Sequence, residues 1–98
     1  MEKATPHCKL SMIHALVRQG LIRFAQSAVD SADSLGVDRQ GIENIVLALK
    51  RGDFYKSMTT HADHTIWQDV YRPLTKAGHV YLKLTVIDDV LVVSFKEL

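Results

Sequence analysis

From His79 to Ile87 the chain alternates without a break, with Val80, Leu82, Leu84 and Val86 on one side and His79, Tyr81, Lys83, Thr85 and Ile87 on the other. Successive side chains of an extended backbone point to opposite faces, so this segment predicts a strand whose apolar face lies on a core and whose polar face stays open. Asp88-Asp89 interrupts the run, and Val90 to Lys96 follows as a second strand-like segment that should return antiparallel beside the first. If the two aspartates form the loop, Ile87 pairs with Val90, Thr85 with Val92, Lys83 with Ser94 and Tyr81 with Lys96. That register sets a phenol beside an ammonium on the open face, with side-chain origins about 4.5 to 5.5 Å apart. A slip of one residue would turn the apolar set to water, which supports the pairing independently of the turn. Thr65 to Arg72, rich in branched and aromatic residues and stopped by Pro73, predicts a third strand.

The strands need a cover, and the first half of the chain supplies it. Thr5-Pro6 has the form of an N-cap and first turn, Leu10, Ile13, Leu16 and Val17 recur on one helical face, and Gly20 can end that helix in the left-handed conformation. Leu21 to Gln26 reads as a short strand. Ala28, Val29, Ala32 and Leu35 mark a brief helix closed by Gly36, and Asp38 can cap a third whose stripe is Ile42, Ile45, Val46 and Leu49. Such stripes are the faces a small domain must bury. The expected class is α+β, an antiparallel sheet with helices packed on one face, and 98 residues predict a single domain over 1–98.

Composition excludes several functions. No stretch is apolar for long enough to make a signal peptide or a membrane span, and a lone Cys8 provides neither an internal disulfide nor a thiol pair for a metal, which predicts a cytoplasmic protein. There is no phosphate-cradling glycine loop, nucleophile elbow or dinucleotide fingerprint. A net charge of only +1 does not announce a nucleic-acid binder, so any basic site has to be assembled locally.

The segments Asp53-Phe54-Tyr55-Lys56-Ser57-Met58-Thr59-Thr60, Trp67-Gln68-Asp69-Val70-Tyr71-Arg72-Pro73, Val80-Tyr81-Leu82-Lys83 and Val93-Ser94-Phe95-Lys96-Glu97 closely resemble the motility quorum-sensing regulator (MqsR) toxin family. So do Met1-Glu2-Lys3 and Thr5-Pro6-His7, and the likeness runs the length of the chain. The resemblance implies a RelE-like toxin fold, the toxin half of a toxin–antitoxin system, and a metal-independent mRNA interferase needing no cofactor. Its implied substrate is single-stranded mRNA, cut with a preference for GC-containing triplets such as GCU and without the ribosome. Its implied partner is an MqsA-like antitoxin with zinc-binding and helix-turn-helix domains. Catalytic residues of the family fall here on Lys56, Gln68, Tyr81 and Lys96, with Tyr55 and Met58 nearby; Arg72 and Lys83 are further RNA-contact candidates. Two positions depart from the family pattern: His61 stands where family members carry Tyr, and Asp88 where at least one carries His.

Metal-free RNA cleavage requires a deprotonated 2′-hydroxyl in line with phosphorus, stabilised phosphate charge and a protonated 5′-leaving oxygen. Lysines suit the second task. As a base, an unperturbed Lys or Tyr titrates at about 10, too high for neutral pH, but converging ammonium groups of Lys56 and Lys96 near Tyr81 can depress a lysine or phenol. Which residue is the base stays open. In an arbitrary protein Lys83 and Lys96 would simply solvate the open face and Tyr81 cover it; the resemblance reverses this for Tyr81 and Lys96, and Lys83 is assigned only a phosphate contact. Tyr55 is either a core anchor or a platform for an unpaired base, worth about 1 to 3 kcal/mol per stacked base. His61, Asp63 and His64 form an incomplete metal-ligand set, and the two histidines are alternative acid–base candidates. A different class of function, a non-catalytic toxin-fold protein that binds an antitoxin or RNA, is disfavoured by the joint presence of Lys56, Gln68, Tyr81 and Lys96.

Overall fold

The predicted hairpin is the middle of a larger sheet. A computed structural model describes residues 1–98. The elements in chain order are β1 (Glu2–Lys3), α1 (Leu10–Arg18), β2 (Ile22–Phe24), α2 (Gln26–Ser34), α3 (Arg39–Ala48), a single 3-10 turn at Arg51–Asp53, β3 (Phe54–Thr59), β4 (Trp67–Tyr71), β5 (Leu74–Thr75), β6 (Gly78–Val86) and β7 (Val90–Glu97). The main path of the sheet runs β1-β3-β4-β6-β7-β2, with β5 paired to one end of β6. Every pairing is antiparallel except that of β2 with β7. The fold is α+β, as the sequence predicts, with one parallel edge that it does not.

One face of the sheet carries the core. Val80, Leu82 and Leu84 of β6, Val90, Val92 and Phe95 of β7 and Tyr71 of β4 meet Ile13, Val17, Ala28, Ala32, Ile42, Val46 and Leu49 from the helical half, all buried in one cluster. Asp38 caps α3 by accepting a hydrogen bond from the Gly41 N–H at 2.7 Å, and Gly20 and Gly36 take left-handed φ values of 78° and 76° beyond α1 and α2.

Three expectations change. The first helix starts at Leu10, behind Lys9, and not at Thr5-Pro6. The reason is Asp69, a buried carboxylate on β4 that accepts the backbone N–H groups of His7 (2.9 Å) and Cys8 (3.0 Å) together with the Ser57 hydroxyl (2.6 Å). Charge-assisted bonds of this kind outweigh a threonine cap and hold the chain off the helical path until residue 9.

The hairpin loop is Ile87-Asp88-Asp89, and the pairs nearest it are Val86 with Val90, Thr85 with Leu91 and Leu84 with Val92, one residue out from the expected register. The register then shifts, leaving Val93 as an extra residue, so that Lys83 with Ser94 and Tyr81 with Lys96 are paired as expected. Ile87, 71 % exposed, is discarded into the loop, and Val90 and Val92 keep their apolar side chains inward. Holding Val90, Val92 and Phe95 together in the core requires the bulge, because Val90 and Val92 share one parity and Phe95 has the other. Finally, β1, β3 and β5 are strands that the alternation pattern does not single out.

Candidate active site

Strand register places six of the eight predicted site residues on the face opposite the helices, and Tyr55 and Arg72, stacked on each other, lie beside them. Along one line across the sheet stand Lys56 on β3, Val70 on β4, Lys83 on β6 and Ser94 on β7, each directly opposite the next. On one side of that line are Met58 opposite Gln68; on the other are Tyr81 opposite Lys96, with Arg72 just past the end of β4. Two bulges make this possible. The Val93 bulge turns Ser94 and Lys96 away from the core, and a register shift between Phe54 and Lys56 turns Tyr55 outward beside Lys56 while Phe54 packs edge-on against Tyr71. Bulges of this kind re-aim side chains at the cost of one unpaired residue.

The face is cationic although the chain is nearly neutral. Lys56, Arg72, Lys83 and Lys96 are four cations against one carboxylate, Glu2, whose strand β1 pairs with β3 at Met58. The Glu2 carboxylate accepts a hydrogen bond from Lys56 Nζ at 2.7 Å. That contact holds Glu2 below the usual carboxylate range and raises Lys56 above the usual lysine range. The Arg72 guanidinium lies 3.8 Å from the centre of the Tyr55 ring, and Lys56 Nζ lies 5.4 Å from it. Tyr55 therefore faces solvent with its ring braced by cations, and is not a core anchor.

The lysine that is depressed is Lys83. Its ammonium is pushed below the ordinary lysine range first by desolvation and then by the charges of Lys96 and Lys56. Lys56 moves the other way because it has a carboxylate partner.

His61 and His64 lie exposed in the connection between β3 and β4, and Asp63 there accepts hydrogen bonds from the Thr65 N–H (2.8 Å) and hydroxyl (2.6 Å). No three His, Cys, Asp or Glu side chains come together as a metal-ligand group. Asp88 is exposed at the tip of the β6–β7 loop. The residue-by-residue reading left Glu2, Val70 and Ser94 without a site role; Ser94 comes in through its predicted pairing with Lys83, whereas Glu2 and Val70 come in only through the pairing of β1 and β4 with their neighbours, which no local periodicity marks.

Comparison with known proteins identifies the family. The family model described as motility quorum-sensing regulator, toxin of MqsA, matches residues 5–97. The chain is 59 % identical over 97 residues to the mRNA interferase toxin MqsR of Escherichia coli (strain K12), covering 99 % of each protein. Both findings place this chain in the family of motility quorum-sensing regulators that act as toxins of MqsA.

Proposed function

We propose that this chain is the toxin of a toxin–antitoxin pair and cleaves single-stranded messenger RNA on the open face of its sheet, without a metal ion. The observation that carries the reading is the cationic open face: in a chain of net charge +1, Lys56, Lys83, Lys96 and Arg72 gather there with Tyr55 and Tyr81. RNA lies across β3, β4, β6 and β7. Lys56 and Arg72 take the phosphate charge, Gln68 hydrogen-bonds a base edge or phosphate, and Tyr55 and Met58 support an unstacked base. Tyr81 and Lys96 face the scissile phosphate. Preorganised cations where charge develops contribute on the order of 3 kcal/mol each in a partly dehydrated site. The printed name of the Escherichia coli relative supports mRNA as the substrate.

The preferred sites are GC-containing triplets such as GCU, and the partner is an MqsA-like antitoxin with zinc-binding and helix-turn-helix domains, in the cytoplasm where messages are found. The family description supports such a partner, and no helix is long and apolar enough to cross a membrane. The test is incubation of the purified chain with synthetic single-stranded RNAs, with and without a GCU, in excess EDTA and without ribosomes. Cleavage confined to the GCU-bearing RNA is expected. An intact RNA would favour a toxin-fold protein that only binds.

A further inference from the structure

Lys83 sits at the centre of the cationic face. Val70 lies directly opposite it on β4 and Ser94 directly opposite on β7. Val70 is fully buried yet stands apart from the core cluster, and Thr85, the next residue along the same face of β6, is only 7 % exposed. The stem of Lys83 therefore rises from a dry floor, and its Nζ lies 5.8 Å from the centre of the Tyr81 ring. The ionisable groups around it are Glu2 from β1, Tyr55 and Lys56 from β3, Arg72 after β4, Tyr81 on β6 and Lys96 on β7. The single carboxylate among them is taken by Lys56, and Lys83 makes no ion pair. An amine above a buried floor, flanked by like charges and lacking a counter-ion, gives up its proton more readily than a lysine in water. The downward shift of Lys83 has these same causes.

We propose that Lys83 is the general base that takes the proton of the ribose 2′-hydroxyl, a role that rests on the open face being the RNA-cleaving site. The lone pair of neutral Nζ accepts the 2′-hydroxyl proton, and the 2′-oxygen forms a bond to phosphorus. The bond from phosphorus to the 5′-oxygen breaks with its electron pair on that oxygen, which takes a proton from the Lys96 ammonium. The products are a 2′,3′-cyclic phosphate and a 5′-hydroxyl, and exchange with solvent returns Lys83 to the amine and Lys96 to the ammonium. Glu2 divides the labour: it keeps Lys56 charged for the phosphate and leaves Lys83 free to discharge.

Two measurements test this on the full-length protein. The first is an NMR titration of the lysine side chains, with Lys83 assigned through Lys83→Arg. The Lys83 midpoint is expected below that of the other lysines and should rise in Lys96→Gln, which removes a like charge. The second is single-turnover cleavage of a synthetic single-stranded RNA against pH. The wild-type rate should climb with pH to a plateau at the NMR midpoint. Lys83→Arg keeps the charge but cannot reach the neutral form, and should lose about 10² to 10⁴-fold in rate with little change in RNA affinity. In Lys83→Ala, added ethylamine should restore part of the rate in proportion to its unprotonated fraction. A Lys83 that titrates with the other lysines, or a Lys83→Arg protein that cuts at the parental rate, overturns the proposal. If Lys83→Arg is fully active while Lys96→Ala is not, the base assignment alone fails; if both are fully active, the open face is not the site.

Discussion

Tyr71 and Tyr81 belong to adjacent strands of one sheet and face opposite ways. Tyr71 pairs with Leu82 on the core face, is 1 % exposed, and buries a hydroxyl that meets no partner. Burial, helped by Asp69 and Cys8, pushes its phenol far above the ordinary tyrosine range. Tyr81 is half-buried on the open face, opposite Lys96 and close to Lys83. Residue type is the same in the two places; register alone decides whether a phenol is packing or chemistry. The contrast extends along β6, where Leu82 and Lys83 are neighbours in sequence and belong to different environments.

The contrast is broken most severely by Leu82→Asp. Forcing an unpaired carboxylate into the core beneath β6 should cost more than about 4 kcal/mol and leave no cooperative thermal transition by circular dichroism. A protein that melts normally would mean the faces are misassigned. Asp69→Ala comes next, since it strands two backbone N–H groups and the Ser57 hydroxyl. A loss of about 3 kcal/mol is expected in denaturant melts, with faster hydrogen exchange at His7 and Cys8 than elsewhere in the sheet.

Tyr71→Phe sharpens the comparison from the other side. Deleting a buried hydroxyl without a partner should leave cleavage unchanged and stabilise the fold by about 1 kcal/mol; a destabilised variant would reveal a partner for that oxygen.

The smallest effect belongs to Glu2→Gln. The depressed Glu2 contributes stability that is present above the ordinary carboxylate range and is lost as pH falls through its lowered value. The raised Lys56 contributes below the ordinary lysine range and loses its share only as pH rises through its elevated value. Between those limits the pair is intact, yet it is exposed to water. Melting temperatures of the parent and Glu2→Gln should therefore agree within about a degree at pH 7, with the parent's small advantage fading in acid.

What could be read from sequence follows from how local each determinant is. β6 was legible to within one residue at each end because His79 to Val86 carry one period. The Asp38 cap and the two helix-ending glycines were legible because their signals lie within a single turn. The Tyr81–Lys96 pair was reached although the loop was placed one residue short, because the Val93 bulge restores the register beyond it. The slip has a visible signature, the change of parity from Val90 and Val92 to Phe95. By contrast, β1 and β5 are two residues long, so nothing local announces them, and while Leu21 to Gln26 reads as a strand, its parallel pairing with β7 spans most of the chain and has no local mark. The Thr5-Pro6 cap signal lost to Asp69, a residue over sixty positions away. Lys83 looked like one lysine among several because its dry surroundings depend on the register of β4 against β6, which places Val70 opposite it.

The central claim, that the open face cuts RNA while the other face only holds the fold, is tested most directly by measuring cleavage and melting together for Lys96→Ala in excess EDTA. Lys96 is exposed at the end of β7 and makes no hydrogen bond or ion pair with another side chain, so its loss should leave the melting temperature where it was. The cleavage rate of single-stranded RNA should fall by about 10² to 10³-fold, the loss expected when one group stabilising developing charge is removed. A Lys96→Ala protein that melts as before and cuts at the parental rate would contradict the account, as would parental activity that vanishes in EDTA and returns with a divalent ion.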